Sequence, residues 1–238
     1  MLKTIFRSAF SLVFPLNCEL CGRFLASHEH GPVCTVCKRR VVLIAPPHCT
    51  GCGRTTFDDT ELCGNCLGEK FYFDRAYSSV LYGSDMKELV HRFKFGGKRF
   101  LAPFFCETME KFALLYLKTI PWDTIVPVPM TRKREGERGF NQARVLSGRL
   151  AGKFAKPHAP RALRCLASEK SQAALGRSER KTNAEGRFFV KDRSAVEQRD
   201  ILLIDDILTT GQTGSACAKA LKDAGANSVT LFTFARGA

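Results

Sequence analysis

Apolar residues fall in two alternating patterns along this chain. Short, branched runs at residues 77–82, from Ile125 onward, at 201–204 and at 228–234 predict strands. Between them, apolar positions recur at helical spacing over 85–95 and 100–117. The same spacing follows Phe140 and returns through Ala216, Cys217, Ala220, Leu221 and Ala224, where Gly225 supplies a stop. Gly83 and the Gly96-Gly97 pair punctuate the first two helices. Strand and helix in turn predict an α/β unit, and the unbroken Ile201-Leu-Leu-Ile204 run reads as a parallel strand buried on both faces.

That central run ends in Asp205-Asp206, then Ile-Leu-Thr209-Thr210-Gly211-Gln212-Thr213-Gly214-Ser215. In an α/β sheet, ligands sit beyond the C-terminal ends of the strands, so the two carboxylates are expected to face a crevice. Hydroxyls, backbone N–H groups and a new helix N-terminus follow at once, which suits a phosphate dianion. A sugar with vicinal hydroxyls and a phosphate satisfies both halves. A P-loop is excluded, because no Gly-Lys-Ser/Thr follows the strand. A second strand end, Val126-Pro127-Val128-Pro129-Met-Thr131, has a backbone fixed by proline and runs into Arg132, Lys133 and Arg134. It is expected to open into the same crevice.

Ahead of residue 71 the pattern changes to paired cysteines: Cys18/Cys21, Cys34/Cys37, Cys49/Cys52 and Cys63/Cys66. The segment repeats itself, since Pro15-Leu-Asn-Cys-Glu-Leu-Cys-Gly-Arg23 is echoed by Pro46-Pro-His-Cys-Thr-Gly-Cys-Gly-Arg54. Four thiolates close a tetrahedral zinc site, so eight predict two structural zinc ions. The repeat pairs the first two knuckles and the last two, with interleaved ligation as the alternative. His28, His30 and His48 lie among the cysteines and are expected in loops or beside the ligands rather than as ligands. Cysteines used this way point to a reducing, cytoplasmic setting rather than a disulfide framework. The expected domains are an N-terminal amphipathic helix over 1–17, a double zinc ribbon over 18–70 and an α/β domain over 71–238.

Composition adds one unusual figure. With 37 Lys and Arg against 23 Asp and Glu, the net charge is +14, which predicts attraction to polyanions. No stretch is apolar for long enough to span a membrane. Leu2, Ile5, Phe6, Ala9, Phe10, Val13 and Phe14 form one helical face. A secretory signal or membrane-surface helix is the rival reading there, and the absence of a small-x-small cleavage site counts against a signal. Cations concentrate between Arg132 and Arg161, with nine basic residues and two acidic ones. In His91-Arg-Phe-Lys-Phe-Gly-Gly-Lys98-Arg99, Leu89, Val90 and Phe93 are expected in the core and Lys94, Lys98 and Arg99 in solvent. Its interleaved Phe and Lys residues also fit single-stranded nucleic acid. Residues 168–193 are polar and read either as a lid or as a plain linker. Cys106, Cys165 and Cys217 are isolated and read as small buried hydrophobes.

The segment from Ile201 to Thr213 resembles the 5-phosphoribosyl-1-pyrophosphate (PRPP) motif of type I phosphoribosyltransferases, without a gap. Several further segments, in this order, extend the resemblance: the two ribbons, Phe93-Lys-Phe-Gly-Gly97, Val126-Pro-Val-Pro129, Arg138-Gly-Phe-Asn-Gln142 and the Gln172 to Asn183 run. Together they resemble the ComF family over nearly the whole chain. One departure is Gln172-Ala-Ala-Leu175 where Gln-Thr-Gly-Leu is expected. The resemblance implies a type I phosphoribosyltransferase-like parallel sheet flanked by helices behind a double zinc ribbon, and a part in DNA uptake and natural transformation alongside other uptake machinery. It implies that Asp205 and Asp206 hold the ribose hydroxyls and that Thr209, Thr210, Gly211, Gln212 and Thr213 cradle the 5-phosphate. Arg132 and Lys133 would neutralise pyrophosphate, with Mg²⁺ accompanying PRPP. Two function classes follow. One is a binding protein for a nucleotide phosphate and single-stranded DNA, using Arg132, Lys133, Arg134, Arg138, Arg177, Arg180 and Lys181. The other is a phosphoribosyltransferase with Asp205, Asp206, Arg132 and Lys133 as its catalytic groups.

Overall fold

The computed structural model describes residues 17–25, 29, 31–56, 61–166 and 187–237. The expected N-terminal helix, His28, His30 and most of the expected lid, with Arg177, Arg180 and Lys181, lie outside them. Four strands, β1 (Arg75–Leu81), β2 (Thr124–Pro127), β5 (Asp200–Leu208) and β6 (Ser228–Arg236), form one sheet in the order β1-β6-β5-β2. Every pairing in it is parallel, so each crossover must carry helix. α1 (Thr35–Arg39) lies in the cysteine-bearing segment, and α2 (Ser84–Phe95) and α3 (Ala102–Tyr116) link β1 to β2. α4 (Arg132–Arg138) and α5 (Gln142–Phe154) follow β2, and α6 (Gln212–Asp223) joins β5 to β6. The second predicted helix begins later than its apolar spacing suggested, because a 3-10 turn at Arg99–Leu101 leads in and Pro103 then stands in the first turn of α3.

Side chains alternate across the sheet and divide the core in two. Leu202, Ile204, Phe232 and Phe234 pack with Phe93, Phe104, Phe105, Phe112 and Leu146 of α2, α3 and α5. Ile201, Leu203, Val229 and Leu231 pack on the other face with Cys217, Ala218 and Leu221 of α6. Each of the large side chains in the first layer contributes roughly 2–3 kcal/mol of transfer free energy, which makes it the heavier half of the core. Cys106 and Cys217 are buried as expected, and Cys165 is half-buried.

Two short strands were not foreseen: β3 (Leu163–Cys165) and β4 (Phe188–Val190) pair antiparallel. They bracket residues 167–186 and pack Leu163, Phe188 and Val190 on the second core. Three-residue strands leave too little alternation to be read from sequence.

Both edges of the main sheet are covered. On the β2 side, Ile125 exchanges backbone hydrogen bonds with Pro157 and Ala159 at 2.9 and 3.0 Å. Pro127 is tolerated there because β2 is the outermost named strand. On the β1 side, the cysteine-bearing segment lies along the strand: Ile44 N–H donates to Ser79 O at 3.0 Å and Ala76 N–H to Thr50 O at 2.8 Å. The cysteine-rich module therefore completes the sheet edge.

Candidate functional site

β5 does not stop at Ile204 but runs through Leu208, because β6 continues beside it to Arg236. Asp205 and Asp206 therefore lie within the strand's last turn of pleat rather than beyond it. Asp206 is buried, and its Oδ1 receives Lys94 Nζ from α2 at 2.9 Å. This corrects the expectation for Lys94. The C-terminal turn of α2 carries it over the sheet, where the buried carboxylate needs a counter-ion. Lys98 is likewise not a free solvent cation: its Nζ is 2.7 Å from Glu19, which Arg92 also binds at 2.8 Å. Arg99 is exposed as expected.

Asp205 receives the N–H of Asp206 on its Oδ1 at 2.8 Å. Burial pushes its carboxyl up to about 7, with the Asp206 charge adding to the rise and Lys94 opposing it. Asp205 is thus poised between its neutral and charged forms near neutrality. A hydroxyl-bearing ligand would find one ready acceptor in Asp206 and a second in Asp205 once it ionises.

After Leu208 the chain turns sharply. Gly211, with φ +79°, caps α6 in the left-handed region, which a side chain would strain. Thr209, Thr210 and Thr213 are exposed, so their hydroxyls stand free of the core. Beneath them Arg236, itself buried, donates from Nη1 to the carbonyls of Leu208, Thr209 and Gly237 at 3.0, 2.7 and 2.6 Å. Its role was not visible in the sequence, because a lone arginine ending a strand reads as solvated. By binding the loop's carbonyls it fixes the start of the turn from below.

β2 delivers the second half. Val128 N–H donates to Ile204 O at 2.9 Å, so the Val-Pro-Val-Pro turn leaves the sheet beside the acid pair. Thr131 caps α4 by accepting from Arg134 N–H at 3.4 Å. Arg132 and Lys133 are exposed, with no carboxylate partner among the described residues. Asn141 ties the elements together: its Oδ1 accepts from Arg144 N–H at 3.1 Å, capping α5, and its Nδ2 donates to Val128 O at 3.1 Å. Arg138 lies 4.9 Å over the Phe95 ring and donates to Gln142 Oε1 at 3.4 Å, while Gln142 Nε2 reaches Phe93 O at 3.5 Å. The Phe-Lys-Phe, Arg-Gly-Phe-Asn-Gln and Asp-Asp segments, far apart in sequence, thus meet at one end of the sheet.

The cysteines assemble in sequence order. Cys18, Cys21, Cys34 and Cys37 form one group, and Cys49, Cys52, Cys63 and Cys66 the other, with the sulfurs of each within 4.8 Å of one another. Interleaved ligation is ruled out by this grouping. Tetrahedral Zn–S bonds of about 2.3 Å require sulfurs about 3.8 Å apart; Cys21–Cys34 is 3.9 Å and Cys52–Cys63 is 3.7 Å. Backbone N–H groups also point at sulfur, from Cys34 to Cys18 at 3.3 Å and from Cys63 to Cys49 at 3.2 Å. Burial pushes the Cys34 thiol up, yet the Cys37 N–H and the Arg23 guanidinium outweigh it and hold the group down at about 6. Both sites suit structural zinc. His48 belongs to neither: its Nε2 meets Ile44 O at 3.1 Å and its ring packs on Tyr77, Phe112 and Tyr116. Burial keeps it below its ordinary pKa.

Comparison with known proteins agrees with this arrangement. The family described as Double zinc ribbon domain matches residues 9–67. Competence protein ComFC of Bacillus subtilis is 33% identical over 212 residues, covering 86% of this chain and 84% of that protein. This chain belongs to the ComF family. DNA utilization protein YhgH of Salmonella typhimurium is 28% identical over 233 residues, covering 94% of this chain and 99% of the relative. Among solved structures, an adenine phosphoribosyltransferase aligns at 13% identity and a TM-score of 0.40, over 65% of this chain and 76% of that one. The sheet of this ComF chain is described by its own strand order and parallel pairing.

Two expectations follow for the ComF chain. Asp205 holds its proton to about pH 7 in the folded state but to only about 4 when unfolded. It therefore favours folding at low pH, and that contribution is lost as pH rises from about 4 to 7. Between pH 5 and 7 the wild type should lose on the order of 2 kcal/mol relative to Asp205→Asn in urea titrations; parallel curves for the two proteins would contradict this. Metal chelation should speed amide exchange at Ala76 at least about tenfold, while β5 amides at 201–204 keep their protection. Mass-spectrometric exchange reads both segments, and uniform protection would separate the ribbon from the sheet edge.

Proposed function

We propose that this ComF-family protein binds the ribose 5-phosphate part of PRPP or of a nucleotide at the end of β5. We further propose that it holds single-stranded DNA along the neighbouring basic surface, in support of DNA uptake or utilisation. The observation that carries the first part is the hydrogen bond from Val128 to Ile204, which lets the Val-Pro-Val-Pro turn leave β2 beside the strand that bears the acid pair. Asp205 and Asp206 accept from the ribose hydroxyls, and displacement of Lys94 from Asp206 is the step that admits them. The turn's N–H groups and threonine hydroxyls take the phosphate, as a helix N-terminus does for an anion. Magnesium, when bound with PRPP, shares the pyrophosphate charge. Relatives named for competence and DNA utilization support placing this chemistry in DNA handling.

DNA binding rests on side chains the fold leaves open. Phe95 and Phe100 are 60% and 55% exposed; Arg138 lies over the Phe95 ring, Arg99 precedes Phe100, and Arg132, Lys133 and Arg134 of α4 are exposed. Flat aromatic faces between cations suit splayed bases joined by phosphates. Arg177, Arg180 and Lys181, assigned to the same surface from sequence, lie outside the described residues.

An enzymatic reading uses the same site. A nitrogen nucleophile would attack C1 of the ribose while the C1–O bond breaks and its electron pair leaves with pyrophosphate. Arg132 and Lys133, exposed and without a carboxylate partner among the described residues, would meet that leaving charge. Release of pyrophosphate from PRPP with a base or DNA acceptor distinguishes turnover from binding.

Calorimetric titration with PRPP and Mg²⁺ should give saturable binding, weakened at least about tenfold by Asp206→Ala. Equal affinity in the variant would remove the acids from the site. Affinity for a single-stranded oligonucleotide should fall steeply with salt. Joint replacement of Arg132, Lys133 and Arg138 by Gln should flatten the log–log slope by about 2. An unchanged slope would place the DNA elsewhere.

A further inference from the structure

The phosphate-binding turn has little interior of its own. Thr209, Thr210 and Thr213 are exposed, and Gly211 has no side chain to anchor it. What lies directly under Gly211 is the ring of Phe71: a Cβ built on Gly211 would stand 2.9 Å from Phe71 Cε1, with two more ring atoms at 3.5 Å. The glycine's backbone therefore rests on the aromatic edge. The same ring packs against the second metal cluster, where Cys49, Cys52 and Cys66 form a small core with Leu62, Cys63 and Phe71. Its face is stacked on Phe73 at 4.8 Å and 12°, which fixes its plane. One residue further on, Tyr72 N–H donates to Ser215 Oγ at 3.0 Å, binding the segment to the first turn of α6.

Phe71 thus bridges two structures that the sequence keeps more than a hundred residues apart. On one side are the ligands of a zinc site, rigid when metal-bound. On the other is the αL residue that turns β5 into α6 and sets the direction of the N–H groups after it. We propose that Phe71 is a positioning residue for the phosphate turn, so that the second zinc ribbon forms the floor of the ribose 5-phosphate site. This inference rests on the ribose-phosphate reading given above. The physical reason is preorganisation: backbone donors bind an anion well only if they are already aligned, and a displacement of about 1 Å can cost up to about 100-fold.

The test uses the full zinc-loaded chain with ribose 5-phosphate as the probe. Phe71→Ala should retain two zinc ions by atomic absorption, bind ribose 5-phosphate about 10- to 100-fold more weakly by calorimetry, and speed amide exchange at 210–213 while leaving 201–204 protected. Phe71→Leu, which keeps apolar contact with the cysteines, should lie between Phe71→Ala and wild type, and it carries the test if the alanine variant does not fold. Wild-type affinity and unchanged exchange at 210–213 in the variants overturn the positioning role, whatever their zinc content. A wild-type protein that binds no ribose 5-phosphate, with Asp206→Ala behaving identically, overturns the ribose-phosphate reading itself. Fast exchange with weak binding, while Asp206→Ala alone leaves exchange at 210–213 unchanged, supports both.

Discussion

The position of β5 between β2 and β6 is the constraint on which the site depends. A parallel pair brings the C-terminal ends of its strands to one edge, and the register here is fixed by buried branched side chains on both faces. A shift of one residue would turn Leu202 and Ile204 away from the phenylalanine layer and put Ile201 and Leu203 into it. The acid pair, the turn after it and the cations of α4 are thus held together by packing well below them. None of those polar groups has to stabilise the arrangement itself.

Electrostatics then divides the work between two adjacent, chemically identical residues. Asp206 is paired with Lys94, whereas the carboxyl of Asp205 is raised by burial and by its neighbour's charge. The acid end of β5 is therefore less negative than its sequence suggests, in a protein whose overall balance is strongly positive. Arg236, beneath the turn, adds a buried cation held by three carbonyls.

Much of this was legible in the chain. The unbroken Ile201–Ile204 run, the Cys-x-x-Cys spacing and the glycine stops each reflect a local rule: burial on two faces, ligand geometry, backbone freedom. They gave the main strands, the longer helices and the grouping of cysteines into ligand pairs, but not the short helix at Arg132–Arg138. What stayed hidden depends on contacts between distant segments. Lys94 looked like one more surface cation because its partner lies 112 positions away, and Lys98 hid its bond to Glu19 for the same reason. β3 and β4 are too short to show a period. Even the pairing of the cysteine knuckles, suggested by the repeat, needed the three-dimensional grouping to decide it.

The cysteine-rich module also hydrogen-bonds along β1 through Ile44 and Thr50, and its Gly53 lies against the Tyr77 backbone, where a Cβ would come within 2.9 Å of the Cα. A strand covered in this way is an open template once its cover is gone. Cutting the chain between the two units would therefore leave a sheet with a sticky margin, a template for self-association. Ribbon and sheet thus share a boundary made of main chain, and parting them uncovers β1.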